Sequence, residues 1–131
     1  MQGNNTEVRV LVIDDDIATL EEVADALEGF ELEVYFATSG EEAVALARKT
    51  TPDMVITDFL LPGINGLDTI ELMKEFIPDC TYLMITAHRD YCLDVVHEHS
   101  DSFFVAEKPI SLDMMIFYIK SALKTIHLPY A

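Results

Sequence analysis

The strongest constraint in this sequence is an alternation. Five short apolar runs, VRVLVI (Val8 to Ile13), LEVYFA (Leu32 to Ala37), MVIT (Met54 to Thr57), YLMIT (Tyr82 to Thr86) and FFVA (Phe103 to Ala106), are separated by amphipathic stretches. Each run has the length of a strand and is rich in strand formers. Between them, apolar residues recur three or four apart: Ile17, Leu20, Val23, Ala24 and Leu27 share one face, as do Leu67, Ile70 and Met73, and Ile116, Ile119, Leu123 and Ile126. Five strands alternating with five helices predict a parallel sheet covered on both faces, because parallel neighbours need right-handed crossovers. The expected fold class is a doubly wound α/β domain. Its functional site should lie beyond the carboxyl ends of the strands, where the strand order reverses.

Local signals agree with this layout. Ser39 followed by Glu42 predicts a capping box opening the second helix, and Arg48 with Lys49 sits at its other end, where the macrodipole favours cations. Ser111 is placed to cap the last helix, whereas His88 to His97 is the least periodic helical stretch. Met1 to Thr6 is polar and aperiodic and reads as a flexible N-terminal tail, leaving residues 7–131 as one domain. At 131 residues and 50% apolar content the chain has material for a core, so disorder is not expected despite its charge.

That charge is strongly acidic: 8 Lys plus Arg against 24 Asp plus Glu give a formal net charge of −16. Such an excess opposes the attractions that drive binding to nucleic acid or anionic lipid, and a cation is the more natural partner. The two cysteines, Cys80 and Cys92, form no C-x-x-C pair and predict reduced thiols. No apolar run approaches the ~18 residues of a membrane span and no secretory leader pattern opens the chain, so a cytoplasmic protein is expected.

The residues just after each run carry chemistry. Asp14, Asp15 and Asp16 follow the first, Asp58 follows the third, Thr86 closes the fourth, and Lys108 with Pro109 follows the fifth. Carboxylates converging on one small volume repel one another unless a cation binds among them, and an oxygen-only ligand set suits Mg²⁺. A carboxylate nucleophile at Asp58, a fixed cation at Lys108 and a hydroxyl at Thr86 are the parts phosphoryl transfer requires. Taken singly, each has a plain structural reading: Asp16 as a helix cap, Thr86 as a strand residue, Lys108 as a solvated charge. Their conjunction on the face this topology assigns to function favours a site.

With these motifs in view, the chain resembles the receiver domain of two-component response regulators, the CheY-like fold, from Val8 to about Ile126. LVIDDD matches that family's acidic pair, DFLLPGING its phosphoacceptor and following loop, MITAH its hydroxyl position, and EKP its lysine-proline pair. The resemblance implies a flavodoxin-like strand order 2-1-3-4-5 and phosphorylation of Asp58 by a histidine kinase or phosphotransfer protein. It also implies Mg²⁺ held by Asp15, Asp58 and the Leu60 carbonyl, with Asp14 acting through water, Lys108 and Thr86 contacting the phosphoryl group, and a cis bond before Pro109. The family's surface of fourth helix, fifth strand and fifth helix serves dimerisation or output contacts. Around it fall Met114, Met115, Phe117 and Tyr118, of which one pair should be core.

One position departs from the family: where a swinging Tyr or Phe usually stands three residues before the lysine, this chain has Val105. A stiff valine cannot fill space vacated by Thr86, and Phe104 should point to the opposite face of a regular strand. His88 falls near the mouth of the site, while His97 and His99 around Glu98 read as solvated surface. Two rival classes remain. A haloacid-dehalogenase-type phosphatase is suggested by the superficial likeness of Asp14-x-Asp16 to its opening motif, but Ala18 two places on and the lack of room for a cap domain or a late acidic pair oppose it. The other is an unphosphorylated binding module. No output module follows Ile126, which suits either a stand-alone receiver or a piece of a longer regulator.

Overall fold

A computed structural model describes residues 8–87, 103–109 and 111–122. Their order is β1 (Val8–Ile13), α1 (Ile17–Leu27), β2 (Leu32–Ala37), α2 (Gly40–Thr50), β3 (Met54–Thr57), α3 (Gly66–Lys74), β4 (Thr81–Thr86), β5 (Phe104–Glu107) and α4 (Leu112–Ala122). The expected tail, the helical stretch around His88 to His97, Leu123 and Ile126 lie outside the described residues. The five strands form one parallel sheet in the order β2-β1-β3-β4-β5. That is the doubly wound arrangement expected, with the order reversing at β1, beside β3.

Alternation along the strands divides the core in two. Val8, Val10 and Val12 of β1 face Leu20, Val23 and Leu27 of α1 together with Met115 and Ile119 of α4. Leu11 and Ile13 face the other way, toward Ala43 and Ala47 of α2 and Leu67, Ile70 and Met73 of α3. A strand buried on both faces must be largely apolar, which is why β1, apart from half-buried Arg9, and β3 read as near-continuous apolar runs. Each large side chain removed from water here contributes roughly 1.5–3 kcal/mol.

Three expectations are corrected in detail. β4 begins one residue earlier, at Thr81, which pairs with Met54. β5 runs one residue later than expected, because its register on β4 sets Glu107 opposite Thr86, although Phe103 just before it is buried. Ile17, placed by its spacing on the buried face of α1, is 57% exposed. Its turn begins beyond the end of β1, where no sheet remains to cover it. In α4, Met115 is core, Ile116 and Tyr118 are half-buried, and Met114 and Phe117 are exposed.

Helix starts follow their caps. Ser39 Oγ accepts from the Glu42 N–H at 3.1 Å, yet the returning Glu42 carboxylate takes the N–H of Thr38 at 2.7 Å, one residue before the expected partner. The hydroxyl of Thr38 also donates to it, which draws the carboxylate past Ser39. Ser111 Oγ accepts from the Met114 N–H at 3.1 Å, as its position predicts. Arg48, in the last turn of α2, lies over the Phe76 ring.

Candidate functional site

The carboxyl ends of β1, β3, β4 and β5 bring Asp14, Asp15, Asp58, Thr86 and Lys108 to one edge of the sheet. Asp14 follows β1 and is 3% exposed. Its N–H donates to Ala37 O, its Oδ1 accepts from the Asp16 N–H at 2.9 Å and its Oδ2 from Lys108 Nζ at 2.7 Å. Asp58 follows β3, anchored by its N–H on Ile13 O at 3.0 Å. Its Oδ2 accepts from the same Nζ at 3.1 Å, so one ammonium bridges two carboxylates.

The remaining oxygen of Asp58, Oδ1, is buried and has no hydrogen-bond partner. A buried carboxylate oxygen left unpaired is costly, so such a position calls for a cation or an incoming donor. Asp15 stands beside it with its side chain in solvent, and single oxygens of Asp14, Asp15 and Asp58 all lie within 4.8 Å of one another. Three carboxylates this close form a hard, all-oxygen set that fits Mg²⁺. Asp58 and Lys108 also line a 430 Å³ cavity together with Val12, Val23, Ile56 and Met115.

Electrostatics follow from this packing. Burial pushes the Asp58 carboxyl above its ordinary value, and the charge of Asp14 adds to that, against the opposing pull of Lys108. Burial lowers Lys108, but hydrogen bonds and charge from Asp14 and Asp58 outweigh it and leave the lysine above its ordinary value. The ammonium is therefore a fixed positive charge at neutral pH.

Other expected positions are placed as follows. Asp16 caps α1, accepting from the Ala18 N–H at 3.0 Å, so its structural reading holds. Thr86 is fully buried at the end of β4 and accepts the Lys108 N–H on its carbonyl at 3.0 Å. The Lys108–Pro109 bond is cis. Leu60 is 41% exposed in the loop after Asp58. Val105 packs half-buried on the α2 and α3 side, while Phe104, 44% exposed, lies against Tyr118 of α4 with centroids 6.0 Å apart. His88, His97 and His99 lie outside the described residues.

Thr57 and Glu41 were not singled out by sequence, and Asn65 and Gly66, though part of the DFLLPGING motif, were given no role of their own. Thr57 Oγ1 donates to Asp58 O at 2.9 Å. Asn65 caps α3 by accepting from the Asp68 N–H at 2.8 Å, a role that an Asn before a helical run could have signalled. Gly66 packs so tightly under Asp58 that a Cβ there would stand 2.1 Å from the Asp58 carbonyl oxygen. Glu41 of α2 accepts from the Ile64 N–H at 3.2 Å, a contact across 23 residues that no local pattern announces.

Comparisons with known proteins agree with this geometry. Residues 10–120 match the model of the response regulator receiver domain. The transcriptional regulatory protein TrcR of Mycobacterium tuberculosis is 31% identical over 94% of this chain and 48% of its own length. A cyclic di-GMP phosphodiesterase of Thermotoga maritima is 30% identical over 88% of this chain and 31% of its own length. The chain thus spans a third to a half of these two relatives. Among solved structures, a receiver domain from Clostridium thermocellum superposes with a TM-score of 0.79 at 26% identity, covering 90% of this chain and 95% of the other. A CheY-like receiver domain protein from Methanospirillum hungatei shares the fold at a TM-score of 0.81 and 24% identity, over 91% and 95% of the two chains. The family match spans most of the chain and covers all four strand ends that carry the site, so this chain belongs to the receiver domains of two-component response regulators.

Proposed function

We propose that Asp58 is the phosphoacceptor of this receiver and that the phosphoryl group comes from a phosphohistidine on a sensor kinase or phosphotransfer protein. The observation that carries this is the asymmetry of Asp58: Lys108 holds Oδ2 while buried Oδ1 has no partner. An oxygen of Asp58 attacks phosphorus, the P–N bond of the donor breaks, and its electron pair returns to the imidazole. Lys108 is positioned to meet the negative charge that arrives on the phosphoryl oxygens, and buried Thr86 offers a hydroxyl at the same edge. Both oxygens of Asp14 are already engaged, which supports a water-bridged role for it, with Asp15, Asp58 and the Leu60 carbonyl as direct metal ligands. Bound there, Mg²⁺ would supply charge neutralisation for the entering group.

The chemistry ends at self-phosphorylation and hydrolysis of the resulting acyl phosphate, without turnover of a metabolite. Among the described residues no helix is long and apolar enough to cross a membrane, which accords with a cytoplasmic setting. Output passes through the exposed Phe104, Met114 and Phe117 beside Tyr118 on β5 and α4, to a second copy or a downstream module. Incubation with acetyl phosphate and Mg²⁺ should add one phosphate by intact mass, and none to Asp58→Asn. An unmodified wild-type protein would reduce it to a binding module, and steady turnover of p-nitrophenyl phosphate would make it a phosphatase.

A further inference from the structure

We propose that Glu41 is a positioning residue for the metal centre, latching the loop from Asp58 to Gly66 to the rigid first turn of α2. The inference rests on the reading of the Leu60 carbonyl as a ligand. That loop must hold a backbone carbonyl in place using residues, Leu60, Leu61, Pro62 and Gly63, that offer no polar side chain of their own. Its ends are fixed by the Asp58 N–H on Ile13 O at 3.0 Å and the Gly66 N–H on Phe59 O at 2.7 Å. Near its middle, the carboxylate of Glu41 accepts from the Ile64 N–H at 3.2 Å.

The fit around that bond is close on both sides. Gly63 has φ +77°, and a Cβ there would stand 2.5 Å from Glu41 Oε2, so the carboxylate lies directly over the glycine. A Cβ on Gly40, one residue before Glu41, would stand 2.6 Å from the Ile64 side chain, so the neighbouring helical residue also clasps the loop. The anchor itself is stiff. Ser39 caps the turn, Glu42 returns to Thr38, and Ala37, one residue further back, accepts the N–H of Asp14. One short segment therefore touches Asp14 through its backbone and the phosphoacceptor loop through Glu41. A latch of this kind raises the fraction of molecules whose loop is already competent, and apparent affinity scales with that fraction.

The test compares Mg²⁺ binding by calorimetry for wild type, Glu41→Ala and Glu41→Gln, with the Ile64 amide shift in NMR as a second readout. Glu41→Ala should weaken Mg²⁺ binding about fivefold, the scale of one ordinary net hydrogen bond, and move the Ile64 amide upfield. Glu41→Gln keeps a side-chain oxygen and should stay within about twofold of wild type, which a purely electrostatic role would not produce. Gly63→Ala should cost less affinity in the Glu41→Ala background than alone, because the clash is with the carboxylate. Equal binding by wild type and Glu41→Ala would overturn the latch, as would Glu41→Gln binding as weakly as Glu41→Ala. A wild-type protein that binds no Mg²⁺ would instead remove the metal centre, and the latch with it.

Discussion

Replacing Lys108 by methionine keeps an unbranched stem of similar volume and removes the cation shared by two carboxylates. In the native protein Nζ lies 2.7 Å from Asp14 and 3.1 Å from Asp58, whose side chains are only 4% and 11% exposed. Without it, both attractions are lost and the repulsion between charges no more than 4.8 Å apart, about 3.5 kcal/mol at an effective dielectric of about 20, is left uncompensated. Lys108 is itself 21% exposed, so water entering its place reduces the loss to about 2–3 kcal/mol, below the about 3–5 kcal/mol for breaking a fully buried pair. For a chain of 131 residues that is a fall of about 8–12 °C in Tm.

The loss should depend on pH in a definite sense. Burial already holds Asp58 above the ordinary carboxylate value, and removing the lysine, which pulls it down, moves it further up. A folded-state value above the unfolded one means that the folded protein takes up the proton first. The deficit is therefore full at neutral pH and is relieved as pH falls through the folded value of Asp58 toward its unfolded value. Urea unfolding without Mg²⁺ at about pH 7.5 and about pH 5 measures both quantities. A loss under about 0.5 kcal/mol at neutral pH, or the same loss at both pH values, would refute the view that Lys108 is the counter-charge of this pair.

Mg²⁺ at about a hundred times its Kd should stabilise the wild-type protein by about 2.7 kcal/mol, and Asp15→Ala much less; equal Tm shifts in differential scanning fluorimetry would remove Asp15 from the ligands. Gly66→Ala should destabilise by more than about 2 kcal/mol in urea and slow labelling by acetyl phosphate, because its Cβ would meet the Asp58 carbonyl; unchanged values would mean that α3 slides freely. Burial pushes the Cys80 thiol up to about 12, so peptide mapping after brief iodoacetamide treatment should find it unlabelled in the folded protein and labelled in urea. Beryllofluoride should move the loop after Thr86 while Val105 keeps its rotamer, and a crystal structure showing Phe104 swung inward would place the switch there instead.

Much of the fold was legible because burial on two faces leaves a strand no choice of residue. β1 and β3 had to be largely apolar, with only Arg9 of β1 reaching out to Glu33, and the runs at Val8 and Met54 mark them to the residue. The ends of β4 and β5 were less sharp. Thr81 belongs to β4 by pairing with Met54 and Glu107 to β5 by pairing with Thr86, and neither pairing is visible within its own segment. Ile17 shows the complementary failure: helical periodicity fixes which face a residue takes but not whether a neighbour covers it.

The site was legible for a different reason. A parallel sheet gathers the carboxyl ends of its strands, so Asp14, Asp58, Thr86 and Lys108 meet wherever they stand in sequence. Side-chain reach was not legible, which is why Glu41 and Thr57 stayed hidden. The acidic composition gains its meaning only through this placement. Among the described basic residues, Arg9 turns to Glu33 and the Thr50 carbonyl, Arg48 to the ring of Phe76, and Lys74 toward Tyr82. Lys108 alone of these four reaches the buried carboxylates. A net charge of −16 describes a surface that repels polyanions, but the two ion pairs at Lys108 decide whether Asp14 and Asp58 can be buried 4.8 Å or less apart. The same lysine leaves one oxygen of Asp58 unsatisfied, so the arrangement that makes the acidic cluster tolerable also leaves a position that calls for a cation or a donor.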